Sequence, residues 1–290
     1  MPELSMVLGL VESDLDRKKY SQAMKRLVSV SNENSHNLQF LGLLAMTQKC
    51  LGDFSGHIKT LEAIAKITGS QISHLDYMAA LYNEGRLNEA LDVGLMLQDQ
   101  EMTAVNAKYF TRMMIKIYLE FCDYEGVEEV LQNYVKNYEL DDLMFWGKGF
   151  VALAYGHQDD ALDFFRKALN QNPRNDGAWV SIAMLHDEMG DRELALANLE
   201  RALDVNPVNA TGLKLLARWH KSDLNSKRHV IERLSLYLSR YNFDEELSLC
   251  YVQLLHENNA AAVARFELEK QLLNNPYHEE FLRLKNNLQV

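Results

Sequence analysis

The chain has 290 residues, of which 47% are hydrophobic and 9% aromatic, with only 4 prolines and 14 glycines. This composition allows one elongated repeat array or two compact domains, and it argues against a turn-rich β fold. The formal net charge is −11 and no cluster of Lys and Arg stands out, which argues against nucleic acid and anionic membrane surfaces as partners.

Cysteine usage and hydropathy point to one compartment. Cys50, Cys122 and Cys250 lie far apart and outside any C-x-x-C pair, which is typical of reduced cysteines in a cytosolic protein. The N-terminal stretch lacks a basic leader and is interrupted by Glu12 and Asp14, so we predict no signal peptide. No apolar run reaches the length of a membrane span. We therefore expect a soluble, cytoplasmic protein without membrane insertion.

In chain order, short turns recur, each followed by an amphipathic helix that has a small residue near its start. The first four segments are DRKKYSQAMKRLVSV (16–30), LGDFSGHIKTLEAI (51–64), EGRLNEALDVGLML (84–97) and CDYEGVEEVLQNYV (122–135). Two close copies follow within 145–173 and 179–207, then a weaker copy at 222–238 and a last one at 257–276.

The predicted turn residues show a nearly fixed period. They lie 34, 33, 37, 34, 34, 34 and 35 residues apart, at Lys18, Gly52, Gly85, Cys122, Gly156, Gly190, Leu224 and Asn259. A period of this size indicates a repeat protein. We predict a single array over residues 1–290, with about eight helix-turn-helix units and a final helix at Tyr277 to Leu288. The 37-residue step around 98–106 (QDQEMTAVN) predicts either a longer helix or a longer loop. Such a loop could act as a hinge between residues 1–105 and residues 106–290.

Two neighbouring units carry a recognisable residue pattern. It occurs as Trp179, Ile182, Ala183, His186, Ala195, Leu199 and Pro207, and one unit earlier as Phe145, Gly149, Ala152, Ala161, Phe165, Ala168 and Pro173. This pattern resembles that of the tetratricopeptide repeat family. The outer units are similar to the family by period and apolar spacing; the seventh departs most, and His57 takes the small-residue position of the second. The resemblance implies an all-α fold, a right-handed superhelical α-solenoid of stacked helix-turn-helix repeats.

The sequence contains only weak matches to catalytic, phosphate-binding or metal-binding motifs. The Gly-Lys-Gly at 147–149 has neither the preceding strand nor the Gly-Lys-Ser/Thr ending of a phosphate loop. The His-Asp-Glu at 186–188 could hold a metal or transfer protons, but its histidine falls where the family has a packing aromatic residue. The acidic pairs at 141–142 and 159–160 lie at helix starts, which favours capping. We expect no catalytic residue, no cofactor and no metal, and so no enzyme.

The resemblance also implies a concave groove lined by the first helix of every unit. The register places the following side chains there: Leu43, Met46, Leu75, Ala79, Tyr82, Arg112, Met113, Lys116, Trp146, Phe150, Val180, Met184, Lys214 and Arg218. Trp146 would be an exposed anchor beside Phe150 and Met184. The alternative is that Trp146 and Phe150 are covered by the protein's own next unit or by a terminal segment.

These features predict a non-catalytic protein–protein interaction scaffold or adaptor. The expected partner is another protein, an amphipathic helix or extended apolar segment whose acidic residues meet Arg112, Lys116, Lys214 and Arg218. The alternative function is a structural protein that forms a homodimer through its apolar N-terminal helix. That helix carries Met6, Val7, Leu8, Leu10 and Val11. Its apolar face could equally pack on its own hairpin partner.

Overall fold

The computed structural model describes residues 4–31, 34–220, 224–240 and 244–287, and all regular structure in these ranges is helical. Seventeen helices lie in these ranges: α1 Leu4–Asp16, α2 Tyr20–Ser29, α3 Leu38–Leu51, α4 Phe54–Thr68, α5 Gln71–Asn83, α6 Leu87–Leu97, α7 Ala104–Glu120, α8 Tyr124–Val135, α9 Asp142–Ala154, α10 Gln158–Gln171, α11 Asp176–Glu188, α12 Arg192–Val205, α13 Ala210–Trp219, α14 Leu224–Arg240, α15 Glu245–Glu257, α16 Ala261–Asn274 and α17 Glu279–Asn287. The predicted all-α fold of helix pairs plus a final helix is confirmed.

The helices form two compact units. The first, Met1–Leu140, contains α1 to α8, and the second, Asp141–Val290, contains α9 to α17. In each unit, the two helices of a hairpin pack on each other and the second helix packs on the next hairpin, so the apolar stripes of neighbouring hairpins are buried against each other. The division predicted at 105–106 lies inside the first unit, and a hinge there stays a prediction.

Left-handed residues make the chain reversals inside the hairpins. Seven predicted turn residues have positive φ: Lys18 56°, Gly52 75°, Gly85 70°, Cys122 54°, Gly156 78°, Gly190 81° and Asn259 60°. Glycine takes this conformation without steric cost, whereas an L-residue with a side chain is penalised by roughly 1–2 kcal/mol. The fixed geometry of the reversal therefore explains why glycine is the commonest residue there.

The seventh hairpin corrects the predicted register. Leu224 is the first residue of α14 and not a turn residue. In α12, the buried residues Ala195 and Leu199 lie five and nine positions after Gly190. Val230 and Leu234 have the same spacing and burial in α14, which places the position equivalent to Gly190 at 225. The prediction at 224 was wrong by one residue because α14 begins earlier relative to its core than the other second helices do.

A small side chain separates the two helices of most hairpins. It lies five residues after the turn position, and its exposed fraction is 0% or 1% in seven hairpins: Ala23, Ala90, Val127, Ala161, Ala195, Val230 and Ala264. The second hairpin has His57 there, half-buried, with its Nδ1 donating a hydrogen bond to the Ala45 carbonyl at 2.8 Å. This hairpin therefore packs around an imidazole where the others pack around a methyl or isopropyl group.

Asparagine pairs tie successive hairpins together in the second unit. Asn172 and Asn175 each donate to Oδ2 of Asp142, at 2.7 and 3.1 Å. One period later, Asn206 and Asn209 donate to Asp176 in the same way, at 2.7 and 2.6 Å. Each loop between hairpins is thus bonded to the start of the preceding first helix. The capping predicted for the acidic pair at 141–142 is confirmed, because Asp141 accepts a hydrogen bond from the backbone N–H of Met144 at 3.1 Å.

Replacing Gly149 tests the close packing of the fifth hairpin. A Cβ at this position would lie 2.2 Å from the ring of Phe165, which is fully buried. We expect Gly149→Ala to lower the free energy of unfolding by about 1–3 kcal/mol, despite the better helix propensity of alanine. Gly9→Ala is the matched control, since a Cβ there meets nothing within 4 Å, and it should stabilise by up to about 1 kcal/mol. Urea denaturation followed by circular dichroism measures both, and equal effects would contradict the packing described.

His57 should make the stability of the protein depend on pH. Burial lowers the pKa of His57 below 6.5, and the Lys49 charge acts in the same direction, against the Ala45 hydrogen bond and the Glu84 charge. Between the folded-state pKa and 6.5, the unfolded chain binds more protons than the folded chain, so the free energy of unfolding decreases as pH falls through that window.

The variant His57→Gln keeps a hydrogen-bond donor for the Ala45 carbonyl but cannot be protonated in this range. Its free energy of unfolding should change less than that of the wild type between about pH 8 and about pH 5. His157→Gln, at an exposed position, serves as the control and should keep the wild-type dependence. An unchanged pH dependence in His57→Gln would contradict the assignment.

Candidate functional site

The first unit contains an open cleft lined by His57 and Met46, which we call the Met46 cleft. It lies between α3, α4 and α5, is closed on one side by Tyr109 of α7, and has a volume of about 520 Å³. Small residues on the first helices leave this space, namely Gly42, Ala45, Ala79 and Ala80. The cleft therefore follows from the sequence of α3 and α5, in which side chains too small to meet face each other.

The walls of the cleft are apolar. Met46 of α3 and Phe54 of α4 have exposed fractions of 54% and 44%, and the half-buried Leu61 and Ile64 line the cleft with them. Exposed large apolar side chains around a concavity are typical of protein-binding sites. A partner side chain in this cleft would be removed from water together with Met46 and Phe54.

The rim of the cleft carries two carboxylates and one ammonium group. Asp76 and Glu84 belong to the α5 side and Lys49 to α3. Burial raises the pKa of Asp76, against the opposing effect of the Lys49 charge. Burial, and then the Asp76 charge, raise the pKa of Tyr109. In the part of the chain that the structure describes, the Asp76 carboxylate accepts no hydrogen bond, so it can still accept one from a ligand.

The structure brings some of the predicted groove residues in the first unit to this cleft and buries others. Met46 lines it directly, whereas Leu43 packs against the N-terminal core. Tyr82 is half-buried and donates to Oε1 of Glu120 at 3.3 Å, and burial raises the pKa of Tyr82 to about 12. Leu75 and Met113 are core residues with exposed fractions of 0% and 5%. Their predicted place in the groove is wrong, because both side chains fill the space between hairpins.

In the second unit, Trp146 is a packing residue. It is half-buried, and its indole Nε1 donates to the Ser181 hydroxyl on α11 at 3.0 Å. Its ring meets Phe150 edge-on at 4.9 Å, and Phe150 meets Phe165 at 5.6 Å. The prediction of an exposed anchor is wrong and its alternative, cover by the next hairpin, is correct.

The remaining predicted groove residues of the second unit divide into apolar and charged pairs. Val180 is buried, with an exposed fraction of 5%, which corrects its predicted place in the groove, whereas Met184 is 38% exposed. Lys214 and Arg218 both pair with Glu246, at 3.3 and 2.6 Å. These two cations are therefore largely neutralised within the protein and are poor candidates for attracting an acidic partner.

Arg112 and Lys116, the two predicted cations of the first unit, are half-buried, and each already interacts with other groups of the protein. The four basic residues on which the prediction of an acidic partner depended are thus all engaged.

The N-terminal helix packs on its own hairpin. Val7, Leu8 and Val11 are buried in one cluster with Ala23 and Leu27 of α2. Met6 and Leu10 stay exposed, at 64% and 41%. This arrangement uses most of the apolar face on which the alternative of a homodimer rests, and the homodimer stays a prediction.

Neither a metal cluster nor a membrane span occurs among the described residues. Within them, no group of three or more His, Cys, Asp or Glu side chains could hold a metal ion. None of the described helices combines the length and apolar character needed to cross a bilayer.

Sequence reasoning missed most residues of the cleft. Phe54 and Leu61 lie on a second helix, and only first helices were expected to contribute. Asp76 lies one position after Leu75, the residue predicted to face the groove. One signal of the cleft was present in the sequence. His57 occupies the position five residues after the turn, where the other hairpins have a small residue, and it lines the cleft.

Comparisons with known proteins agree with the repeat pattern. A tetratricopeptide repeat model matches residues 176–209. "Protein bimA" from Emericella nidulans is 28% identical over 86 residues, which are 29% of this chain and 11% of that protein. The match thus spans only a small part of the length of bimA.

Solved structures share the fold over most of the chain. A tetratricopeptide repeat protein from Parabacteroides merdae superposes with a TM-score of 0.66 at 15% identity, covering 88% of this chain and 98% of that one. The thermophilic protein TTC0263 from Thermus thermophilus gives 0.53 at 17% identity, covering 64% of this chain and 99% of its own. Residues 176–209 thus match a tetratricopeptide repeat, and the chain shares the helical repeat fold of the tetratricopeptide repeat protein from Parabacteroides merdae over 88% of its length.

Proposed function

We propose that this protein is a non-catalytic scaffold that binds a segment of another protein in the cleft of its first unit. The observation that carries the proposal is the exposure of Met46 and Phe54, 54% and 44%, around a cleft of about 520 Å³. A cleft of this size accommodates one or two apolar side chains of a partner. Burying them with Met46 and Phe54 supplies the hydrophobic part of the binding free energy.

The charges at the rim favour a basic residue beside the apolar anchor. Asp76 and Glu84 face a single cation, Lys49. A partner Lys or Arg next to the anchor could donate to the Asp76 carboxylate, and a partly desolvated carboxylate gains more from such a bond than one in water. We therefore infer an amphipathic helix or extended segment with an apolar anchor and an adjacent basic residue. This replaces the acidic segment expected from the sequence.

Met184 and Arg218, two other predicted residues that are exposed, lie in the second unit and are not part of this cleft. The alternative function, self-association through α1, and the cytoplasmic location stay predictions.

Selection from a library of random displayed peptides tests the proposal. The wild-type protein should select peptides that share an apolar residue adjacent to Lys or Arg. Met46→Glu places a charge in the apolar wall, so the dissociation constants of the selected peptides should rise by about tenfold or more. Asp76→Lys should also weaken them, and it should do so less at high salt.

Met189→Glu provides the matched control, since Met189 is 56% exposed and lies in the second unit. It should bind the selected peptides as the wild type does, and circular dichroism should show equal helix content in all variants. Peptides that bind Met46→Glu as tightly as the wild type would place the site elsewhere. A consensus rich in Asp and Glu would overturn the inferred charge of the partner.

A further inference from the structure

The loop between α6 and α7 builds a second pocket in the first unit. The step from Gly85 to Cys122 is 37 residues, three more than the 34-residue step from Cys122 to Gly156. The extra length lies in α7, which has 17 residues where α9 has 13, and the loop between Leu97 and Ala104 runs along its start. This loop passes beside the last turns of α8 and encloses a volume of about 490 Å³.

Hydrogen bonds hold the loop in this position. Gln71, the first residue of α5, donates from Nε2 to Oε1 of Gln100 at 3.3 Å and to the carbonyl of Glu101 at 2.8 Å. Its own Oε1 accepts a hydrogen bond from Nδ2 of Asn106 at 3.2 Å. Thr103 caps α7 through the backbone N–H of Asn106. The loop between α6 and α7 is therefore held in place as one wall of the pocket.

The opposite wall presents two pairs of side chains spaced by one helical turn. Asn133 and Asn137 form one pair, and Tyr134 and Tyr138 form the other. The helical hydrogen-bonding pattern continues past the end of α8, because the N–H of Tyr138 donates to the carbonyl of Tyr134 at 3.1 Å. The two tyrosine rings lie 5.0 Å apart and are tilted by 38°. They form a short aromatic ridge beside a row of amides.

Hydrogen-bond donors are among the polar groups left for a ligand. Oδ1 of Asn133 already accepts from Lys136 at 2.9 Å, and Oε1 of Gln100 accepts from Gln71. In the described part of the chain, the Asn137 side-chain amide, the Asn133 side-chain amino group and the Tyr138 hydroxyl make no hydrogen bond. Glu101 is the one carboxylate among the lining residues, and no Lys or Arg lines the pocket. A matching ligand is rich in acceptors, carries no negative charge and has apolar faces.

We propose that this pocket binds a proline-rich segment of another protein in the polyproline II conformation. Such a segment exposes backbone carbonyls and, at each proline, no N–H. The Asn137 side-chain amide and the Tyr138 hydroxyl donate to its carbonyls, and its pyrrolidine rings pack on the half-buried ring of Tyr138 and on the exposed edge of Tyr134. Because this helix form exists before binding, little conformational entropy is lost on association. The site is separate from the Met46 cleft and does not depend on the function proposed for it.

Fluorescence polarisation of labelled decaproline with the full chain tests this site, with a Gly/Ser peptide of equal length as the control probe. Saturable binding of decaproline alone is expected. Tyr138→Ala should raise its dissociation constant by about tenfold, and Tyr138→Phe and Asn137→Ala by a few-fold each. Tyr277→Ala is the matched control, since this tyrosine is 88% exposed in the second unit, and it should bind as the wild type does.

Two further variants test whether decaproline binds at this pocket and not at the Met46 cleft. Gln71→Ala releases the loop without touching the pocket lining and should weaken decaproline binding, whereas Met46→Glu should leave it unchanged. No saturable binding of decaproline by the wild type would overturn the proposal, as would equal binding of the Gly/Ser peptide. Unaltered binding by a Tyr138→Ala protein of normal helix content would overturn it as well.

Discussion

The close approach of two helices within each hairpin is the constraint on which the rest of this structure depends. It requires a left-handed residue at the reversal and a small side chain five positions later, as at Gly156 and Ala161. When both are present, the hairpin closes tightly and its remaining apolar stripe is matched to the next hairpin. Neither requirement involves chemistry or a ligand, so this part of the sequence specifies the scaffold and leaves the surface residues for binding.

Binding features arise where one hairpin departs from the rule. The second hairpin accommodates His57 at the small-residue position, and the Met46 cleft lies beside it. The fourth hairpin has a longer first helix than the others, α7 with 17 residues, and the pocket lined by Tyr134 and Tyr138 lies beside the loop that precedes it. In repeat proteins each unit contacts mainly its neighbours, so a local irregularity changes one surface without disturbing distant hairpins. This explains how two unlike pockets coexist in one unit.

The periodic part of the structure could be predicted from the sequence, and the site largely could not. Turn positions such as Gly52 and Gly190 follow from chain geometry that is the same in every repeat. Groove residues were harder to predict because successive side chains are rotated by about 100° around the helix axis. An error of one position therefore exchanges a core side chain for an exposed one. Leu75 was chosen where Asp76 lines the cleft. The prediction for Trp146 was wrong for another reason. Its indole contacts Ser181 of the next hairpin, and no property of its own helix reveals how closely that hairpin approaches.

The asparagine pairs of the second unit have a consequence for how this protein opens. Asn172 and Asn175 link one hairpin to the next through Asp142, and Asn206 and Asn209 do so again through Asp176. In a one-dimensional chain of repeats, cooperativity is set by the coupling between neighbours. A boundary between folded and unfolded hairpins is therefore disfavoured at these bonded junctions, and we expect α9 to α13 to open as a single block. Their backbone amides exchange with solvent deuterium only when the whole block opens.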